Sequence, residues 1–310
     1  MLVWIVGVVQ CGLLFESARI VRADEPPLAT VDRKRPNGEH FVRVVRDRDG
    51  EPAALETSVV RYRLPSRRPG TAGRSEVTVD LVSAVHLGSR RYYDTLDRLF
   101  QNYDAVLYEL VAPENARVPQ PGRKPSGTIG QAQVGLTRLL GLSFQLDEVD
   151  YRAANFVHAD LTPQQFDEAM RRRGESWWTM FMTLMRESMA KAPPSSSDTV
   201  GFGDLFSAMF GDHREIRLRR MMAIQFSDMD VLTSAFGGEK GSTLLSDRNA
   251  AAIDVLRREV ARGRRNIAIF YGAAHMPDFD MRLRKEFGFE ADEAEWIEAW
   301  DLRLPAAVTR

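Results

Sequence analysis

EVTVDLVSAVHLGSRRYYDTLDRLFQNYDAVLYELV, residues Glu76–Val111, decides the fold. Val77, Val79, Leu81, Val82 and Val85 read as a strand, and Ser89 stands where a helix N-cap belongs. Tyr92, Tyr93, Leu96, Leu99, Phe100 and Tyr103 then recur at helical spacing, and Ala105–Val111 reads as a second strand. Strand, helix and strand make a βαβ unit with a right-handed crossover and parallel strands. Parallel neighbours present their carboxyl ends on one side. His86 closes the first strand and Glu109 lies near the close of the second, so both fall on the edge where α/β proteins gather their chemistry.

The carboxyl-terminal part repeats the pattern. Leu245–Arg262 reads as a helix and Asn266–Tyr271 as a strand, followed by Gly272-Ala273-Ala274-His275. Asp278–Phe287 reads as a helix ended by Gly288, and Trp296–Leu304 as a final strand. Ahead of the βαβ unit, His40–Val45 and Val59–Leu64 alternate as antiparallel strands around the turn signal at Arg46–Gly50. Between the two α/β parts the chain reads mainly as helices, over Gly130–Phe144, from Asp160 and over Glu175–Met189. Further helices are expected from Leu205, Glu215 and Asp230, and Gln145-Leu146-Asp147 as a short extended piece. The Trp/Met-rich stretch around Trp177 and Trp178 reads as helix packing or as an apolar lid. The expected fold is α/β (α+β): a central mixed β-sheet with a βαβ unit and an inserted helical subdomain at about 126–243.

A chain of 310 residues is long enough to bury a full core. Its formal charge of −1 removes the electrostatic case for nucleic acid as the main partner. A single cysteine, Cys11, excludes an internal disulfide framework and a thiolate metal cluster. Leu2–Phe15 is an apolar stretch too short to span a bilayer comfortably. With Val21-Arg22-Ala23 behind it, it resembles a signal peptide over residues 1–23, followed by a polar linker at 24–38 and one domain at 39–310. The expected place is secreted or periplasmic, in the cell envelope. Membrane contact is expected only through an uncleaved amino-terminal anchor.

His86, Glu109 and His275 together suggest a site of two histidines and one carboxylate. Such a set suits Zn²⁺, Mn²⁺, Fe²⁺ or Co²⁺ and leaves positions open for water. Strand-end residues of these types can equally be satisfied by hydrogen bonds. His40, His158 and His213, with Asp80 and Asp147, read as solvated or structural.

At these residues the chain resembles the TraB/PrgY/GumN family, which is related to the TIKI proteases and more remotely to ChaN and erythromycin-esterase-like folds. That family carries two Gly-x-x-His motifs, a Glu after a Tyr-Asp segment, and an Arg-Asn pair before the second motif. Here the second motif is Gly272-Ala273-Ala274-His275, the Glu segment runs from Tyr103-Asp104 to Glu109, and the pair is Arg248-Asn249. The first motif reads Ser83-Ala84-Val85-His86, with Ser83 at the turn position where Gly is usual. The resemblance covers residues 77–111 and 244–290 best. It implies a metal-dependent peptidase-like protein with His86, Glu109 and His275 around a divalent ion (Mn, Co, Fe or Zn). In that scheme Glu109 is a ligand or the base, Arg248 binds an oxyanion or a substrate carboxylate, and Asn249 is a positioning donor. The other expectation is a non-catalytic protein that sequesters a peptide or other small-molecule ligand in the same cleft.

Overall fold

The computed structural model describes residues 41–64, 77–113, 135, 137–175, 213–227 and 242–305. The expected signal peptide and linker, His40, and most of the Trp/Met-rich stretch lie outside the described residues, as do the starts of the helices expected from Leu205 and Asp230.

The strands are β1 (Val42–Arg46), β2 (Pro52–Arg63), β3 (Thr78–Ala84), β4 (Leu87–Gly88), β5 (Ala105–Tyr108), β6 (Ser143–Phe144), β7 (Phe156–His158), β8 (Asn266–Gly272) and β9 (Glu290–Asp301). The helices are α1 (Arg90–Phe100), the single turn α2 (Gln145–Glu148), α3 (Pro163–Arg173), α4 (Arg214–Ser227), α5 (Arg248–Ala261) and α6 (Met276–Arg282). The protein is a mixed α/β fold built on a central mixed sheet with interleaved helices. The main sheet runs β1-β2-β3-β8-β5-β7, with β9 pairing β2 off this path. β3, β8, β5 and β7 are parallel, whereas β1, β2 and β9 are antiparallel to their partners.

One expectation needs correction here. β3 and β5 are parallel, as the βαβ reading requires, but they are not neighbours, because β8 lies between them. Ile267 to Tyr271 are all fully buried, an unbroken apolar run that suits a strand covered on both faces. The insertion is also not helical throughout. Phe156–His158 joins the sheet beside β5, and Gln145–Asp147 is a helical turn after the short β6, not an extended piece. The helix expected over Gly130–Phe144 stops at Leu140, where Gly141 takes a φ of +57°.

Helices cover both faces of the sheet. On one face α1 packs Tyr92, Tyr93, Leu96 and Phe100 against Val82, Val106 and Phe270. On the other, α5 and α6 pack Ala252, Ile253, Leu256, Met276 and Phe279 against Leu81, Leu107 and Ile269. Local chemistry fixes the helix starts. The Ser89 hydroxyl accepts the Tyr92 N–H at 3.1 Å. Thr162 and Gln165 form a capping box around Pro163, and Gly174 closes α3 with a φ of +66°. Among the described residues no helix is long and apolar enough to cross a membrane.

Gly88, two residues past His86, has no room for a side chain: a Cβ there would lie 2.7 Å from Tyr92 Cδ1 and 3.1 Å from Tyr93 Cζ. Both rings are buried and hydrogen-bonded to the backbone of Ser83 and Val85, so neither yields cheaply. Gly88→Ala is expected to cost about 1–3 kcal/mol as an overpacked core site, read from the urea midpoint at unchanged m-value.

Candidate active site at the carboxyl ends of the parallel strands

Four strands deliver polar residues to one edge. His86 follows β3, Glu109 follows β5, Asp160 follows β7, and Gly272 ends β8 with His275 three residues on. The first residues of α5, Arg248 and Asn249, meet them from the face opposite α1. All seven expected site residues are thus described, and six of them gather here.

Glu109 is the hub. Its Oε1 accepts from Arg248 Nη2 at 2.8 Å and its Oε2 accepts the Gly272 backbone N–H at 2.8 Å. Arg248 also clasps Asp160, with Nε 3.0 Å from Oδ1 and Nη2 2.6 Å from Oδ2. The Arg248, Glu109 and Asp160 side chains are 5%, 7% and 0% exposed, so the three charges meet without bulk water. Burial alone would raise the Glu109 carboxyl, but Arg248, the two imidazoles and the Gly272 N–H outweigh it and hold it well below the usual range. Burial likewise opposes the Arg248 charge, and Asp160 and Glu109 more than restore it. The Arg248 Nη1 makes no hydrogen bond among the described residues. In a planar guanidinium it shares an edge with Nη2, the edge turned toward Glu109.

His275 stands with Nε2 3.6 Å from Glu109 Oε1. Its Nδ1 lies 2.6 Å from Asn249 Oδ1. The Asn249 amide can be oriented in one way only, because Nδ2 donates to His275 O at 3.0 Å and to Asp278 Oδ2 at 2.8 Å. Nδ1 therefore carries the hydrogen, and the lone pair of Nε2 faces the carboxylate. Burial holds the imidazole down to about 4, against the pull of Glu109, so it is neutral near pH 7.

His86 places Nδ1 3.0 Å from Gln145 Oε1, and burial lowers its pKa too. This ring and Glu109 both lie against Gly272. A Cβ at Gly272 would lie 3.4 Å from Glu109 Oε2 and 3.5 Å from His86 Nε2. Its φ of −56° and ψ of 145° suit any residue, so the glycine is there for space and not for backbone freedom.

Ser83 is corrected. It is a fully buried residue inside β3, opposite Tyr271, and not part of a turn. No positive φ is required there, so a side chain meets no backbone obstacle. Its hydroxyl has no hydrogen-bond partner among the described residues. Asp80 is structural, bound by Arg61 and by the Tyr103 hydroxyl. His158 is tied to Leu110 O, and His213 is an exposed turn residue. Two residues of the site were not expected: Asp160 and Gln145. Asp160 follows a strand and precedes a helix, the same placement that marks His86, but its strand is only three residues long.

The donors are of the right type for a borderline divalent ion, and 3.6 Å suits two ligands each about 2.1 Å from one ion. Among the described residues, however, no three His, Cys, Asp or Glu side chains form a ready metal-holding group. The structure holds a His275–Glu109 pair with His86 on the Gly272 side, because Arg248 and the Gly272 N–H draw the carboxylate toward themselves. A cavity of about 550 Å³ lined by Asp104, Glu259, Arg262 and Arg264 opens at the opposite ends of the strands, away from this chemistry.

No family model, curated protein or solved structure matches the chain.

The depressed imidazole has a consequence for folding. The unfolded chain binds the His275 proton more readily, so stability is expected to fall as pH drops from about 6.5 toward about 4. Urea denaturation across that window should show this slope, and His275→Gln should reduce it to the share that His86 contributes.

Proposed function

We propose that the protein is a hydrolase of the TraB/GumN type, acting on peptide bonds with Glu109, His275 and His86 at its centre. The observation that carries the reading is the facing of two acceptors, His275 Nε2 and Glu109 Oε1, 3.6 Å apart in a buried place. Two acceptors at that separation repel unless positive charge or a donor lies between them. Because burial keeps His275 neutral, a water donating to both, or a divalent cation such as Mn²⁺, Co²⁺, Fe²⁺ or Zn²⁺, is the partner this pair suits.

A bound divalent ion supplies Lewis acidity and lowers the pKa of a water it holds. The residues supply the rest. Glu109 and His275 accept hydrogen bonds from the attacking water and orient it, with His86 as the further nitrogen donor on the Gly272 side. Arg248 turns Nη1 toward the carbonyl oxygen as negative charge develops on it. Asn249 keeps the His275 ring in its working tautomer, and Asp160 keeps Arg248 in place. The signal-peptide-like segment supports a secreted or cell-envelope location.

The depth of the centre favours one further reading. Glu109, Arg248 and His275 are each under a tenth exposed, as would suit a protein that holds a peptide or small ligand without turnover.

Metal analysis of the purified full chain tests the proposal. Wild type is expected to retain about one divalent ion per chain and to hydrolyse unstructured peptides. His275→Ala should lose both, and so should Gly272→Ala, whose methyl would sit against Glu109 and His86, while circular dichroism stays native. A wild type with neither ion nor hydrolysis overturns the reading, and a peptide bound stoichiometrically but recovered intact decides for the binding protein.

A further inference from the structure

We propose that Gln145 is a positioning residue for His86, clamping the ring so that Nδ1 carries the hydrogen and Nε2 is turned to the Gly272–Glu109 side. The proposal rests on the reading that His86 takes part in the site, and it gives the inserted segment a role in building that site.

The segment is joined to the histidine's own loop. β6 pairs antiparallel with β4, Leu87 opposite Phe144 and Gly88 opposite Ser143, so the strand ladder reaches the residue after His86. Gln145 then grips His86 at two points. Its backbone N–H donates to His86 O at 3.0 Å, and its Oε1 lies 3.0 Å from His86 Nδ1. The rest of the amide is occupied, since Nε2 donates to the Tyr151 hydroxyl at 2.7 Å. Gln145 is 3% exposed. Burying a primary amide is costly unless its groups are bonded, and here each end of the amide has a partner. Packing alone would be served as well by Met or Leu.

The arrangement reproduces what Asn249 does for His275. In both cases a primary-amide oxygen faces Nδ1, and Nε2 is presented toward the carboxylate: His275 beside Oε1, His86 on the Gly272 side where Oε2 lies. The bond made at one ring nitrogen sets which nitrogen carries the hydrogen. An amide does this without bringing a further negative charge into a centre that already holds two carboxylates.

Long-range ¹⁵N–¹H correlation on histidine-labelled full chain reads the tautomer directly near neutral pH, with His86 assigned from a His86→Gln spectrum. Wild type is expected to show His86 with hydrogen on Nδ1. Gln145→Met should move it to Nε2 while leaving His275 unchanged, and should weaken Zn²⁺ binding about 10–100-fold. Gln145→Glu, which keeps an acceptor in place, should keep the hydrogen on Nδ1. Hydrogen on Nε2 of His86 in wild type, or an unchanged ring in Gln145→Met, overturns the proposal. Failure of wild type to take up Zn²⁺ would instead count against the proposed function, because the tautomer is read without any ion.

Discussion

The buried pairing of Arg248 with two carboxylates, Asp160 and Glu109, is the constraint on which the site depends. A guanidinium taken out of water is tolerable only when its donors are met, and here the donors facing the two carboxylates are met at 2.6–3.0 Å. The two acids come from the ends of β5 and β7, and the cation comes from the first turn of α5. None of the three can sit in this interior alone. Strand order, strand length and the seating of α5 are therefore coupled, and the edge that carries the chemistry is also where misplacement costs most.

The same pairing sets the electrostatics. One positive charge against two negative ones leaves the centre net negative, while burial keeps both imidazoles neutral. The inward-facing atoms are then mostly acceptors: a carboxylate oxygen and the imidazole nitrogens. Such a centre suits a cation or a proton-donating water, and it disfavours a free anion. Arg248 contributes direction more than charge, because its charge is already answered and its Nη1 edge remains.

Much of this was legible in the sequence, for a physical reason. His86, Glu109 and His275 stand at or just beyond the ends of strongly apolar strands, and Arg248-Asn249 heads a helix, so element type alone sends them to one edge. The order of the sheet was not legible. Nothing in the residues of β3 and β5 says that β8 separates them; that follows from three strands competing for the most buried place. β2 is twice as long as its apolar run because residues 52–58 borrow order from β1 and β9 on either side. Asp160 was hidden because β7 is too short to show a period. Gln145 was hidden because a polar residue in what reads as a short extended piece looks like surface until its partners are known. Ser83 looked like a turn residue only because the motif it resembles places glycine there; inside β3 it is simply a small buried side chain.

A double-mutant cycle between Arg248 and Asp160 tests the central pairing most directly. Arg248→Met should cost about 3–5 kcal/mol, because it leaves Asp160 and Glu109 buried without their cation, and Asp160→Leu should cost less, because Glu109 still pairs Arg248. The double variant should cost markedly less than the two together, with a coupling of about 0.5–3 kcal/mol. Strictly additive losses would contradict the account, since they would mean that the two side chains reach the interior independently.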